Sequence, residues 1–354
     1  MQFFSIGEAM TYKSWVVRLL FSLVFLMLSV GAFNYWIDPL WMFSSSHEFN
    51  DVQDTFNERQ QKTNRVFYQP FSPDTLLIGS SRSTYINPHE FSGMDVFNYS
   101  VANMSVQEYA SYIQFAKKNS EKPIDTVFLG LDFFKSSLDQ SNVQMTIEPY
   151  TKNLNKPFHR WTSNLSYDTL KYSYYNLKAS IKDQPVFVRS YDRNNVATTP
   201  IIPIEDANEE LEKKIIKFKS TFYGKYQYNP EYKNVLQNVR DQNPYSTFIV
   251  FTTPISEPLF QALVDSGRFP DYEKWLREMI DVFGGVYNFM DINTVTKDTS
   301  NYFDGHHFYP EVGTLIAHRL SAEEASNIPN DFGVYLTAEN IDKYLENFRS
   351  MQLN

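Results

Sequence analysis

The first pattern along the chain is apolar and uninterrupted. From Leu19 to Ile37 (LLFSLVFLMLSVGAFNYWI) no side chain carries a charge, and apolar positions run all round a helix instead of marking one face. Nineteen helical residues rise about 28 Å, close to the roughly 30 Å hydrocarbon core of a bilayer. Lys13 and Arg18 precede the run, and Asp38, Glu48, Asp51 and Asp54 follow it. The positive-inside rule then expects a single-pass cell-membrane protein, N-terminus cytoplasmic and the bulk of the chain periplasmic or extracellular. Tyr35, Trp36 and Trp41 fall where an interfacial aromatic belt belongs. Val30-Gly31-Ala32 also offers a small-residue cleavage site, so a removed signal peptide is the competing reading. Either one exports the remainder.

Beyond this run the pattern shortens. Ser44 to Pro70 is polar and punctuated, a connector with a short helix expected around Asn50–Asn64. Five runs rich in Val, Ile, Phe and Thr then read as strands: Thr75–Gly79, Val96–Val101, Thr126–Leu131, Thr247–Thr252 and Val286–Ile292. Helical patterns lie between or after them at Val106–Lys118, Tyr272–Phe283 and Pro310–Leu320. Apolar strands alternating with helices predict an α/β fold, a parallel sheet with helices on both faces. About 115 residues separate the third and fourth strands, far beyond an ordinary crossover. This insertion, roughly Ser136 to Gln242, is tyrosine-rich (Tyr172, Tyr174, Tyr175) with helical stretches near Ile204–Phe222 and Asn229–Val239. It is expected to form a cap or a partner-facing subdomain. Thr337–Met351 reads as a final amphipathic helix. The expected division is a stub and anchor (1–43), a first core part (44–135), the insertion (136–243) and a second core part with the last helix (244–354).

Composition narrows the chemistry. The 354 residues hold no cysteine, which excludes disulfides, thiolate metal sites and a cysteine nucleophile. Apolar content of 42% with 21% charged residues suits a folded chain and excludes wholesale disorder. The net charge of −9 argues against a nucleic-acid partner.

Two segments carry candidate chemistry. In Asp74-TLLIGSSRS a strand ends at Gly79, and Ser80 to Ser83 follow at its carboxyl edge, where open parallel sheets bind ligands. A serine on such a turn can present its hydroxyl for attack. In Asn301-YFDGHHFYPEVG, Asp304 stands three residues before His307, and Pro310-Glu311 begins a helix. A carboxylate there can fix the imidazole tautomer and stabilise the imidazolium formed when the histidine takes a serine proton. Alone, each segment also reads as an ordinary turn. A loose metal site of Asp304, His306 and His307 is the other alternative. Neighbouring histidines rarely hold one ion together, so no metal is expected.

Taken together, the serine after the first strand and Asp-x-x-His before the last core helix resemble the SGNH (GDSL-type) hydrolase superfamily. The resemblance covers about Asp74–Asp132 and Thr247–Leu320 and implies a flavodoxin-like five-stranded sheet. Gly79-Ser80-Ser81 matches the first block, with serine in place of aspartate, and implies Ser81 as nucleophile. Asp304-Gly305-His306-His307 matches the fifth, implying His307 as base and Asp304 as its orienting acid. Two blocks depart. In Asn98-YSVANMS, Asn103 stands where a glycine supplies an N–H to the oxyanion hole; its own N–H survives, and its amide offers another donor. In Gly130-Leu131-Asp132 a carboxylate replaces the donor asparagine. An ionised Asp132 would repel the oxyanion, so it is expected to be protonated, turned away or otherwise used. Arg82 is expected either to hold an anionic substrate or partner, or to pair with Asp132. His47, His89, His159 and His318 have no partner visible in sequence and are expected to be surface or structural.

Asn34-YWIDPLWMF after the span, with GSSRS, resembles the membrane-anchored bacterial polysaccharide O-acetylation proteins, and distantly the anchored protein of teichoic-acid D-alanylation. That implies an acyl donor, a polysaccharide acceptor, a multi-span membrane acyltransferase as partner, and no cofactor. The expected activity is serine O-acyl transfer or ester hydrolysis through an acyl-serine. A non-catalytic glycan-binding or scaffold subunit on a degenerate fold is the alternative.

Overall fold

The computed structural model describes residues 12–141, 146–184, 187–322 and 327–352; most of the expected cytoplasmic stub lies outside them. Six strands form the main sheet: β1 (Thr75–Ile78), β2 (Val96–Asn98), β3 (Thr126–Leu131), β4 (Thr247–Thr252), β5 (Val286–Asn288) and β6 (Val334–Leu336). Their spatial order is 2-1-3-4-5-6. The first five run parallel, and β6 joins β5 antiparallel, Val286 opposite Leu336. The expected count of five is therefore corrected to six. A three-residue strand shows too little alternation to announce itself.

Side chains alternate across the sheet. Leu76, Ile78, Val127, Leu129 and Val250 enter one buried cluster with helices α3 (Val106–Asn119), α7 (Glu257–Asp265) and α8 (Phe269–Phe283). Leu77, Phe128 and Phe251 enter the other, with Val312 and Ile316 of α9 (Pro310–Leu320). Helices thus cover both faces, as continuous apolar strands require. Two expected strands end early because an asparagine takes over. Asn98 turns its amide onto the carbonyls of Ser83 and Ile86, each at 2.9 Å. The Asn288 amide oxygen accepts from the Thr252 hydroxyl (2.8 Å) and the Tyr272 hydroxyl (2.9 Å).

Helix α1 (Tyr12–Ile37) is the one helix among the described residues long and apolar enough to cross a membrane. Its 26 residues span about 39 Å, and its apolar window has mean hydropathy 2.3 with none of it buried. The helix expected in the polar connector is corrected in its bounds. It is α2 (Glu58–Tyr68), starting where the Asn57 side chain accepts from Gln60 N. Most polar residues of this helix are buried. Gln61 and Asn64 donate to the carbonyls of Pro39 and Leu40, and Lys62 to those of Asn98 and Ser100.

In the insertion, α4 (Tyr167–Lys182) follows a Ser166 cap, α5 (Ile204–Lys217) continues into a wider turn at Phe218–Phe222, and α6 is Tyr232–Asp241. Two-residue strands at Gln53–Asp54, Ser190–Tyr191 and Ala197–Thr198 form a small antiparallel sheet between connector and insertion. Helix α10 (Ile341–Gln352) closes the described chain.

Candidate active site

The register of the central strands assembles the site. Leu131 of β3 lies opposite Thr252 of β4, and Ile78 of β1 opposite Leu129 of β3, so three neighbouring strands end at one edge. The residues just past those ends, Ser81 and Arg82, Asp132, and Thr253, become neighbours although 171 positions separate Arg82 from Thr253. The turn before α9 arrives at the same edge. Gly305 has φ +68°, and a Cβ there would stand 2.2 Å from Leu211, so the bend between Asp304 and His306 needs glycine.

Ser81 Oγ lies 2.9 Å from His307 Nε2, and His307 Nδ1 lies 3.0 Å from Asp304 Oδ2. Asp304 Oδ1 accepts from the backbone N–H groups of His306 (2.9 Å) and His307 (2.6 Å), which fixes the carboxylate against its own turn. With Nδ1–H assigned to Asp304, Nε2 is the acceptor for the serine hydroxyl. Phe303 stacks on His307 with ring centroids 5.5 Å apart, and Tyr85 meets the imidazole edge-on at 6.2 Å. Burial alone would raise the Asp304 pKa. The adjoining His307, then His306 and Lys214, hold it well below the ordinary carboxylate value.

A second network lies beneath. Arg82, 1% exposed, donates to Asp132 Oδ1 (3.3 Å), Thr253 Oγ1 (3.1 Å) and His306 Nδ1 (2.5 Å). The Thr253 hydroxyl donates to the same Asp132 oxygen. Asp132 is thus turned to a guanidinium, and Arg82 is buried, not open to an anionic ligand. Burial, and next the Arg82 charge, push His306 well below the usual histidine value, so it stays neutral and can accept. Both this acceptor role and the Lys214–Asp304 pair set these residues against the loose metal site.

The remaining sequence candidates fall differently. Asn103 is exposed, with φ +56°, and its carbonyl and amide oxygens both accept from the Lys135 ammonium. Gly130 is packed inside the sheet rather than at the reacting edge: a Cβ would lie 2.2 Å from Ser83 Oγ, and its carbonyl accepts from Tyr109. Three participants gave little sequence signal. Lys214 of α5 reaches Asp304 Oδ2 at 2.8 Å from within the insertion, a residue no spacing rule connects to the turn. Thr253 would follow only from the strand register. His306 was visible as His307's neighbour, but its guanidinium partner was not. Of the remaining histidines, His47 reaches the Trp36 carbonyl, His89 that of Asn194, and His318 pairs with Glu90 at 3.1 Å.

Fold and site define a mixed α/β protein in which a serine, a histidine and a carboxylate are hydrogen-bonded in series at the carboxyl edge of a mostly parallel sheet. No family model matches the chain, and no curated protein matches it. Among solved structures that do match is one from Streptococcus pneumonia described as "a putative platelet activating factor". It aligns at 10% identity over 75% of this chain and 90% of that one, with a TM-score of 0.38. A likeness of that degree carries nothing about chemistry.

Proposed function

We propose that the chain is a membrane-anchored serine O-acyltransferase or esterase of SGNH type. Its flavodoxin-like sheet would face the extracytoplasmic side, and it would act on a cell-envelope or exported polysaccharide, as acyl acceptor in the transferase case. The observation that carries the reading is the continuous bond series Ser81–His307–Asp304. In this reaction Ser81 Oγ attacks the ester carbonyl while His307 Nε2 takes its proton. Collapse of the tetrahedral adduct breaks the donor C–O bond, and the same proton passes to the leaving alkoxide. A sugar hydroxyl, or water, then gives its proton to His307 and attacks the acyl-serine, and Ser81 leaves reprotonated. Asp304 holds the tautomer and balances the imidazolium throughout. Asn103 supplies its N–H to the oxyanion, and the buried Lys135 places positive charge beside it.

Retention of α1 is supported by its packing. Gly31 and Asn34, at and just beyond the potential cleavage site, exchange hydrogen bonds with Asn164. A multi-span acyltransferase partner remains part of the proposal for the transferase case.

One observation favours a second reading, a non-catalytic glycan-binding or scaffold subunit. The Asp132–Arg82 pair occupies the position from which the family's asparagine would donate. Acetyl release from an aryl ester by the detergent-solubilised full chain separates the two. Ser81→Ala and His307→Ala are expected to abolish it; equal rates in all three would leave only the second reading. Full-length mass in washed membranes is expected, and a mature chain starting near Phe33 would refute the anchor.

A further inference from the structure

Residues 148–182 of the insertion differ from the rest of the molecule in charge and in surface. Against a net charge of −9 for the whole chain, this stretch holds Lys152, Lys156, Arg160, Lys171, Lys178 and Lys182 with only Glu148 and Asp168 opposing them. It also exposes large apolar side chains together: Phe158 (76%), Trp161 (52%), Leu165 (45%) and Tyr167 (78%). Isolated exposed apolar residues are ordinary, but a contiguous group beside a basic stretch is not.

The group is fastened to α1. Asn34 Nδ2 donates to the Asn164 carbonyl (2.7 Å), and Asn164 Nδ2 donates to the Gly31 carbonyl (2.8 Å). Trp161 stacks with Tyr35 at 6.4 Å. Between the two segments runs an apolar groove of about 440 Å³ lined chiefly by Met27, Leu28, Ala32, Tyr35, Trp161 and Leu165. Met27 lies ten residues before the end of α1, which is about 15 Å along the helix axis. If Tyr35 and Trp36 mark the membrane surface, Trp161, stacked on Tyr35, lies at that surface, and Leu165, against Gly31, lies about 6 Å deeper.

We propose that residues 158–167 form a wedge embedded in the same leaflet into which α1 emerges. Acyl chains of bilayer lipid fill the groove, and the flanking lysines lie at the level of anionic headgroups. The inference rests on α1 as a retained span and is independent of the triad. Three features identify lipid as the occupant: continuity of the groove with the span, the tryptophan and tyrosine at its rim, and charge complementary to acidic headgroups.

The absence of cysteine makes the test direct. Full-length single-cysteine variants L23C, F158C, W161C, L165C and Y245C are labelled with a nitroxide and reconstituted into phosphatidylcholine–phosphatidylglycerol vesicles. Power-saturation EPR then compares accessibility to oxygen, which concentrates in hydrocarbon, with accessibility to a water-borne nickel chelate. Position 23 reports the span, and position 245, 94% exposed in the turn before β4, reports water. The expected result is an oxygen-to-nickel ratio at 158, 161 and 165 several-fold above that at 245, with 165 nearest to that at 23. Ratios at 158, 161 and 165 equal to that at 245, with 23 in lipid, would overturn the wedge while leaving the anchor standing, and would make the face a docking surface for another protein. Position 23 in water would overturn both.

Discussion

Arg82 directly follows Ser81 and is the crossbar of the site, so its removal should be felt first in stability. Arg82→Ala leaves the Asp132 carboxylate, 3% exposed, without its guanidinium partner, held by the Thr253 hydroxyl and with Lys135 as the remaining neighbouring cation. It leaves His306 Nδ1 without its donor and empties the space over the Phe134 ring, whose centroid lies 5.2 Å from the guanidinium carbon. Breaking a buried ion pair by deleting one partner costs about 3–5 kcal/mol. At about 2–3 °C per kcal/mol for a chain of this size, the thermal midpoint should fall by roughly 6–15 °C. Asp132→Ala strands the opposite charge and should cost a similar amount.

The decisive measurement is the cycle. Arg82→Met with Asp132→Leu removes both charges and refills the space, so the double variant should be less destabilised than the sum of Arg82→Met alone and Asp132→Leu alone by about 2 kcal/mol. Intrinsic fluorescence during thermal and urea unfolding in one fixed detergent follows this, because Trp275 is fully buried in the core. Lys213→Ala, whose partners Glu209 and Glu210 are exposed, should leave the midpoint where it was. Additivity of the two single variants within about 0.5 kcal/mol would refute the pairing as a stabilising unit.

The other predictions concern the acid, the pH and the packing. Asp304→Asn should lower kcat/KM on an aryl acetate by about 10²–10⁴ through loss of the correct tautomer, whereas Lys214→Met, removing a partly exposed ion pair, should cost about tenfold or less. The reverse order would remove Asp304 from its role. His306 is kept neutral when folded but takes a proton below about pH 6.5 when unfolded. The unfolded state then binds more protons, so this contribution to stability is present above that pH and lost as pH falls. The thermal midpoint should drop between pH 7 and 5, and His306→Gln, which can still accept from Arg82, should flatten the drop. An unchanged slope in the variant would contradict the assignment. Gly130→Ala would push a methyl to 2.2 Å from Ser83 Oγ and 2.8 Å from the Phe251 ring, costing about 1–3 kcal/mol or more in urea unfolding.

What could be read in advance depended on whether a feature is local in sequence. The parallel strands announced themselves as apolar runs, and Pro310–Leu320 was bounded correctly because proline at the first turn marks a helix start. The Asp304–His307 spacing was equally local. Strand β6 and helix α4 were not legible: three residues carry no period, and the tyrosines of α4 masked a helix whose start the Ser166 side chain caps by accepting from Thr169 N. The burial of the connector helix was not legible for a different reason. Gln61, Lys62, Thr63 and Asn64 look solvated by composition, yet they are buried because their partners are backbone carbonyls and a hydroxyl supplied by other segments. Lys214 illustrates the limit, since only the folded insertion brings its ammonium to a carboxylate 90 positions away.

Those buried connector residues bear on how the site relates to α1. A flexible tether would let the reacting edge range over many heights above a membrane, but the segment leaving α1 is fixed at each step. Asp38, at φ +50°, caps the N–H groups of Met42 and Phe43 and pairs with Arg193 at 2.6 Å. Burial raises its pKa to about 6 even against that guanidinium, which places this carboxylate inside the protein rather than on a loop. Gln69 of the same connector donates to the carbonyls of Trp41 and Phe43, and Arg193 returns to those of Asp38 and Phe43. The chain therefore leaves α1 directly into the packed domain, with no free length to swing on. On the proposed function, this rigidity holds Ser81 at one height above the bilayer. An acyl donor would have to be presented at that level, whereas a long polysaccharide can bring successive hydroxyls to it. A fixed anchor thus suits transfer from a membrane-held donor to a mobile polymer better than it suits scavenging of soluble esters.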